Sequence, residues 1–232
     1  MKQLALSLLL VAAAAAGELT VAQRNDACYA LRGQRSIELV AEMRRAIDDP
    51  AVRGCAARNL REAGAAEALI DALETGGPDT RVAAAHELGA MRDARALAAL
   101  GRASLDPNAL VASSAIAALG DYEDRAALPY LLKAAEAQTV AGITALSQAA
   151  RLHNAAVLPL ARAALATGDV AAQVVAMGII ADMGDASDLP PLREIQKRSE
   201  PVSVRGRGFG FMPAIDLARA ARTAIERIGE RR

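Results

Sequence analysis

The stretch Asp79–Ala103, DTRVAAAHELGAMRDARALAALGRA, decides the fold. Val82, Ala85, Leu88 and Met91 recur at helical spacing and make one apolar stripe. Asp79 or Thr80 supplies a side-chain oxygen that accepts from the free N–H groups of a first helical turn. Gly89 falls near the expected helix end, where glycine tolerates the left-handed conformation that stops a helix. Asp93 then caps a second helix, whose stripe is Leu97 and Leu100, with Arg95 and Arg102 off it. The stretch therefore predicts two short helices joined by a tight turn.

The same pattern returns along the chain. Leu88-Gly89 recurs as Leu119-Gly120, Leu152-His153 and Met183-Gly184, at offsets of 31, 33 and 31 residues. Second-helix leucines follow at Leu97, Leu128, Leu158 and Leu189, and the last three precede a proline, which suits the start of a helix. An earlier copy runs from Asp49-Pro50 to Leu73, with Leu60 and Leu69 each 28 residues before Leu88 and Leu97. A period near 30 with two helices per period indicates an α-solenoid.

These copies resemble HEAT-type repeats of the short, alanine-rich bacterial kind. The resemblance rests on Asp/Pro, then Val52-Arg53 or Arg81-Val82, then Ala-Ala, then Leu119-Gly120-Asp121 or Met183-Gly184-Asp185, and then Ala-x-x-x-Leu. It spans roughly Ser36 to the C-terminus. The chain departs from the pattern where the arginine is absent after Arg81 and where His153-Asn154 replaces Gly-Asp. The resemblance implies an all-α fold, a right-handed α-solenoid of antiparallel helix pairs, with second helices lining the concave face. On that face Glu67, Asp71 and Glu74 come first, and Arg102, Lys133 and Arg162 occupy the matching later positions. This is either a gradient from acidic to basic or a solvated face without meaning.

Residues 1–22 read as a secretory signal peptide. Lys2 gives the positive start, Leu4–Ala16 the apolar run, and cleavage falls after Ala16 or Ala22. A membrane span needs about 20 apolar residues, so no stable membrane insertion is expected after cleavage. Cys28 follows Asn25-Asp26-Ala27, which is no lipoprotein pattern. The expectation is a bacterial protein exported to the periplasm or the medium, the bacterial origin resting on the repeat type and on arginine outnumbering lysine. Residues 23–48 form an N-terminal capping segment. In it Asn25–Gly33 is a short helix or turn, and Ser36 caps a helix with Ile37, Val40, Met43 and Ile47 inward. Export places Cys28 and Cys55, the chain's two cysteines, in an oxidising compartment. They form either a disulfide stapling the cap to the first repeat or two separate buried thiols.

The repeats occupy residues 49–198. Residues 199–213 then break the rhythm with an irregular Gly/Arg/Phe loop, and residues 214–232 make a C-terminal capping helix with Ile215, Ala218, Ala221, Ile225 and Ile228 inward. The loop is long for a helix–helix connection and holds both phenylalanines of the chain. Arg205, Arg207, Phe209 and Phe211 alternate with glycine there and are the candidate partner-binding residues, arginine and aromatics being enriched at interface hot spots. The alternative is that Phe209 and Phe211 plug the end of the core.

Charge selects no partner class, since Lys+Arg and Asp+Glu both total 27. It is unevenly spread, with ten basic residues against five acidic ones between Arg193 and Arg232. Among enzymes of this repeat class, deoxyhypusine hydroxylases hold a di-iron centre through repeated His-Glu pairs. Here His86-Glu87 stands alone and His153 is followed by Asn154, so no metal or other cofactor is expected. Phycobilin lyases need a bulky apolar pocket for a tetrapyrrole, which a chain with 2% aromatics does not supply. The Arg-Gly-Arg-Gly stretch is too short to imply a nucleic acid partner. The function expected is a non-enzymatic scaffold presenting a curved helical surface to a protein or peptide. The alternative is an accessory subunit or enzyme acting on an anionic envelope polymer through the basic C-terminal part.

Overall fold

A computed structural model of the chain describes residues 19–122, 125–137, 139–167, 169–198 and 216–231. Among the described residues all regular structure is helical. Packing divides the chain into two compact units, residues 1–131 and 132–232.

In the first unit, α1 (Val21–Ala30) pairs with α2 (Ile37–Ala46), α3 (Arg53–Glu62) with α4 (Ala66–Thr75), and α5 (Pro78–Met91) with α6 (Leu97–Ala103). The next copy opens with α7 (Ala109–Asp121). First helices pack on first helices, α1 on α3, α3 on α5 and α5 on α7, while α2 packs on α4 and α4 on α6. Two helical layers result, and Met43, Leu60, Leu69, Leu88, Leu100 and Leu119 are fully covered. In the chain, α8 (Leu128–Ala135) spans the boundary between units. The second unit holds α9 (Val140–Ala150), α10 (Leu158–Ala166), α11 (Val170–Met183), α12 (Leu189–Arg198) and α13 (Leu217–Glu230). There α9 packs on α11 and α11 on α13, with α10 against α11 and α12 against α13. The last helix thus takes the place of a first helix in a further copy.

The repeat leucines begin the second helices. Leu97, Leu158 and Leu189 each follow a single 3-10 turn, capped by Asp93, Asn154 and Asp185, whose side chains accept the N–H two residues on. Asp93 therefore caps as the sequence predicts, through one tighter turn first. Ser36 likewise caps α2 by accepting from the Leu39 N–H.

Several local expectations are corrected. The N-cap of α5 is Gly77, with Pro78 first in the helix, where proline has no N–H to satisfy. Asp79 and Thr80 are thereby inside the first turn. Asp79 pairs with Arg53, and the buried Thr80 hydroxyl donates to the Ile47 carbonyl at 3.4 Å. Gly89 does not stop the helix; Arg92 takes the left-handed conformation with φ 54. Gly89 is buried in the last turn of α5, where an added Cβ would stand 2.8 Å from the Cα of Ala118 on α7. In α2 the inward stripe is Leu39, Met43 and Ile47, whereas Ile37 is 83% exposed. In α13, Ala221 and Ile228 face inward as predicted, joined by Leu217 and Ala224, with Ala218 and Ile225 only partly covered; Ile215 lies outside the described residues.

The N-terminal helix starts earlier than its sequence announces. Thr20 caps α1 in a reciprocal box with Gln23, so the helix crosses the expected boundary between residues 22 and 23. Cys28 and Cys55 are joined in a disulfide with their Cα atoms 6.2 Å apart, tying α1 to α3. Asn59 donates to the Cys28 carbonyl at 3.0 Å and closes the polar gap beside the bridge. The expected leader, up to residue 18, lies outside the described residues. No helix among the described residues is long and apolar enough to cross a membrane.

Candidate functional site

Charged side chains are tied together one repeat apart. Arg24 pairs with Asp49, Arg53 with Asp79, and Arg81 with Asp106. Arg61 reaches Glu87 in the first-helix layer, and Arg44 reaches Asp71 at 2.6 Å in the second. Arg95 pairs with Glu67 at 3.4 Å and Arg102 with Glu74. In the second unit Arg162 holds Asp188 at 2.7 Å and Asp185 at 3.4 Å. Most of these pairs are exposed and contribute little each. The exceptions have a buried acid: Glu87, Asp106 and Asp188. The hydrogen bond from Arg162 holds the Asp188 carboxyl below the usual carboxylate range, against the opposing effect of burial.

This ladder changes the meaning of the second-helix charges. Glu67, Asp71 and Glu74 each have an arginine partner from a neighbouring copy, so the acidic column is largely neutralised where it stands. Two basic residues of the C-terminal part are drawn in the same way. Arg227 pairs with Asp182 at 2.6 Å, and Arg231 donates to the carbonyls of Ala181 and Gly184 at the end of α11. A cation there meets the negative end of the helix dipole.

The first-helix layer of the first unit carries an open groove of about 460 Å³. Its floor is made of small residues from three successive helices: Gly54 and Ala57 of α3, Ala83 of α5, and Ala117 and Ala118 of α7. Tyr29, Arg58, His86 and Asp121 stand along it. Tyr29 and Ala117 are exposed. The groove exists because first helices stack at close range, as at Gly89, while alanines on the outward side leave the space between ridges unfilled. It offers an aromatic face, a guanidinium, an imidazole and a carboxylate over an apolar floor.

His86 is 78% exposed, and its Nδ1 lies 3.5 Å from a Glu87 carboxylate that turns inward to Arg61. His153, in the turn that follows α9, takes the left-handed conformation with φ 46. Among the described residues no group of three or more His, Cys, Asp or Glu is placed to hold a metal ion. Arg205, Arg207, Phe209 and Phe211 lie outside the described residues. Sequence reasoning missed the groove because its floor is alanine and glycine. The ladder was legible in principle, as arginines and acids about one period apart.

Stacked helix pairs clamped by one-period ion pairs define a helical-repeat protein. Residues 66–150 match the family model of HEAT repeats. No curated protein matches the sequence. Two solved structures are similar. Human deoxyhypusine hydroxylase in complex with glycerol has 18% identity and a TM-score of 0.42, over 99% of this chain and 96% of that one. The complex of CpcE and CpcF of phycocyanin lyase from Nostoc sp. PCC7120 has 19% identity and a TM-score of 0.42, over 89% of each chain. At such identities and scores neither likeness carries an activity to this chain.

Proposed function

We propose that the chain is a non-enzymatic scaffold, exported to the bacterial envelope, that binds a protein or peptide on its helical surface. The observation that carries this reading is the groove across α3, α5 and α7, whose small-residue floor lets a partner backbone approach closely. Its rim pairs an exposed aromatic ring with charged groups of both signs, the composition of a recognition surface. Export is supported by the sequence of the first 22 residues and by the Cys28–Cys55 bridge, which suits an oxidising compartment. The anionic-polymer reading draws less support, because Arg227 and Arg231 are held by α11.

The test is a photo-crosslinking residue in place of Ala117, on the groove floor, expressed in the native cell. A discrete adduct at position 117, absent when the same residue replaces Glu226 on α13, is the expected result. Crosslinking that is equal at both positions would overturn the groove as the binding surface, and turnover of an envelope polymer by the purified chain would overturn the scaffold reading.

A further inference from the structure

The arginine ladder has a missing rung in the second unit. In the first unit the fourth residue of a first helix is twice an arginine that meets an aspartate just ahead of the next first helix. Arg24 of α1 meets Asp49, and Arg81 of α5 meets Asp106. Arg81 also donates from Nε to the Leu73 carbonyl, eight residues back at the end of α4, at 3.0 Å. The second unit repeats that backward reach, where Gln173, fourth in α11, donates to the Leu165 carbonyl at 3.1 Å. In α9 the fourth residue is Ile143. An alkyl chain donates nothing. Asp169, the aspartate ahead of α11, accepts the cap N–H of Ala172 and has no guanidinium among the described residues.

The protein is open at this position. A cleft of about 460 Å³ lies between the first turn of α9 and the end of α10, with Ile143, Leu146 and Leu160 along its apolar side. Glu136 and Asp169 line it, and among the described residues no lysine or arginine does. Glu136 is exposed and has no ion pair with a described residue. Ala135, whose carbonyl is the one eight residues before Ile143, lines the cleft as well. The acceptors that Arg81 finds in the first unit, an aspartate and a helix-end carbonyl, are thus present without an arginine donor among the described residues.

The geometry points to a binding site for an arginine side chain of a partner peptide, which completes this rung from outside. A planar guanidinium can engage a carboxylate and a carbonyl at once, which a lysine ammonium matches poorly. The apolar side of the cleft covers the methylene stem, and Val140, 83% exposed at the same cleft, meets an aliphatic neighbour of the arginine. The inference deepens the scaffold reading and rests on it, since the arginine comes from another protein.

The experiment uses the purified full chain and a fluorescein-labelled pentapeptide with a central arginine flanked by leucines, followed by fluorescence anisotropy at low salt. Saturable binding is expected, weakened about tenfold or more when citrulline, uncharged but of the same shape, replaces arginine. Asp169→Asn keeps a good helix cap and Glu136→Gln is on the surface, so both variants fold, and each weakens binding by about the same factor. Ile143→Arg supplies the rung from within, blocks the peptide and raises the melting temperature. Absent saturable binding, equal affinity for the citrulline peptide, or undiminished binding to Ile143→Arg would overturn the site. A dimer that Ile143→Arg dissolves would overturn it too, by making a second copy the occupant. Failure here with the position 117 adduct retained removes this site and leaves the scaffold reading standing. Loss of that adduct with arginine-dependent binding retained removes the groove alone.

Discussion

A Cβ added at Gly89 would stand 2.8 Å from the Cα of Ala118, so α5 and α7 meet backbone to backbone. Neither backbone can move aside as a flexible side chain would, and Asp121 Oδ2 at 3.0 Å closes the same space. Alanine gains about 1 kcal/mol over glycine inside a helix, but overpacking here costs more. Gly89→Ala is expected to lower the unfolding free energy by about 2 kcal/mol. Gly178, in the middle of α11, has nothing within 4 Å of its added Cβ, and Gly178→Ala is expected to raise it by about 1 kcal/mol. Urea titration of the two variants reads the opposite signs directly.

The period was legible because leucines mark it. Leu97, Leu158 and Leu189 do begin second helices, and the polar residue four places before each caps the turn. What one helix's sequence cannot show is its neighbour. Residues 37, 40, 43 and 47 and residues 39, 43 and 47 are both helical stripes, and burial against α3 and α4 selects the second. Gly89 invites a helix-stop reading until α7 is seen against it. Ala57, Ala83 and Ala117 suit a core and a groove floor equally, so nothing in their type announces the groove. The cleft beside Ile143 is an absence, visible only once Arg24 and Arg81 show what the position holds in α1 and α5.

Glu42 is 4% exposed on α2, and its Oε1 has no hydrogen-bond partner among the described residues. Burial pushes its carboxyl up to about 7, with Arg45 opposing. The folded protein therefore holds this proton where the unfolded chain has released it. The contribution to stability is full below the ordinary value of 4.5, falls as pH rises towards 7, and is flat beyond. Glu42→Gln removes the ionisation. The variant should equal the native protein below pH 4.5 and exceed it at pH 8 by on the order of 2 kcal/mol, allowing for solvent screening. Melting temperatures of both proteins across that range check it; a constant difference at all pH values would show that the carboxyl titrates normally.

The Cys28–Cys55 bridge closes a 27-residue loop around the terminal helix pair. The end pair of a stack has a neighbour on one side only and opens first. Chain entropy assigns a loop of this length about 3.5 kcal/mol. Replacing both cysteines by alanine is expected to lower the unfolding free energy by about 3 kcal/mol. Limited proteolysis should then cut within α1 and α2 before it cuts α5. Equal protease resistance with and without the bridge would mean that Asn59 and the Met43 packing hold the cap alone.

The N-terminal cap also discriminates between the two cleavage positions of the proposed leader. The Thr20 side chain accepts from the Gln23 N–H at 3.3 Å, and the Gln23 side chain accepts from the Thr20 N–H at 2.8 Å. Arg24, one residue on, is the first rung of the ladder through Asp49. Cleavage after Ala22 removes Thr20, at a cost of about 1 kcal/mol, and places a cationic amine at the positive end of α1. Cleavage after Ala16 leaves the whole box in the mature chain. The expected mature protein therefore starts at Gly17, which intact-mass measurement on protein from an envelope fraction decides. A start at Gln23 would show that α1 tolerates an uncapped end, and a start at Met1 would remove the export proposal. Two recombinant chains, starting at Gly17 and at Gln23, separate the physics from the processing. The longer should unfold at higher urea, with a difference in unfolding free energy of about 1 kcal/mol.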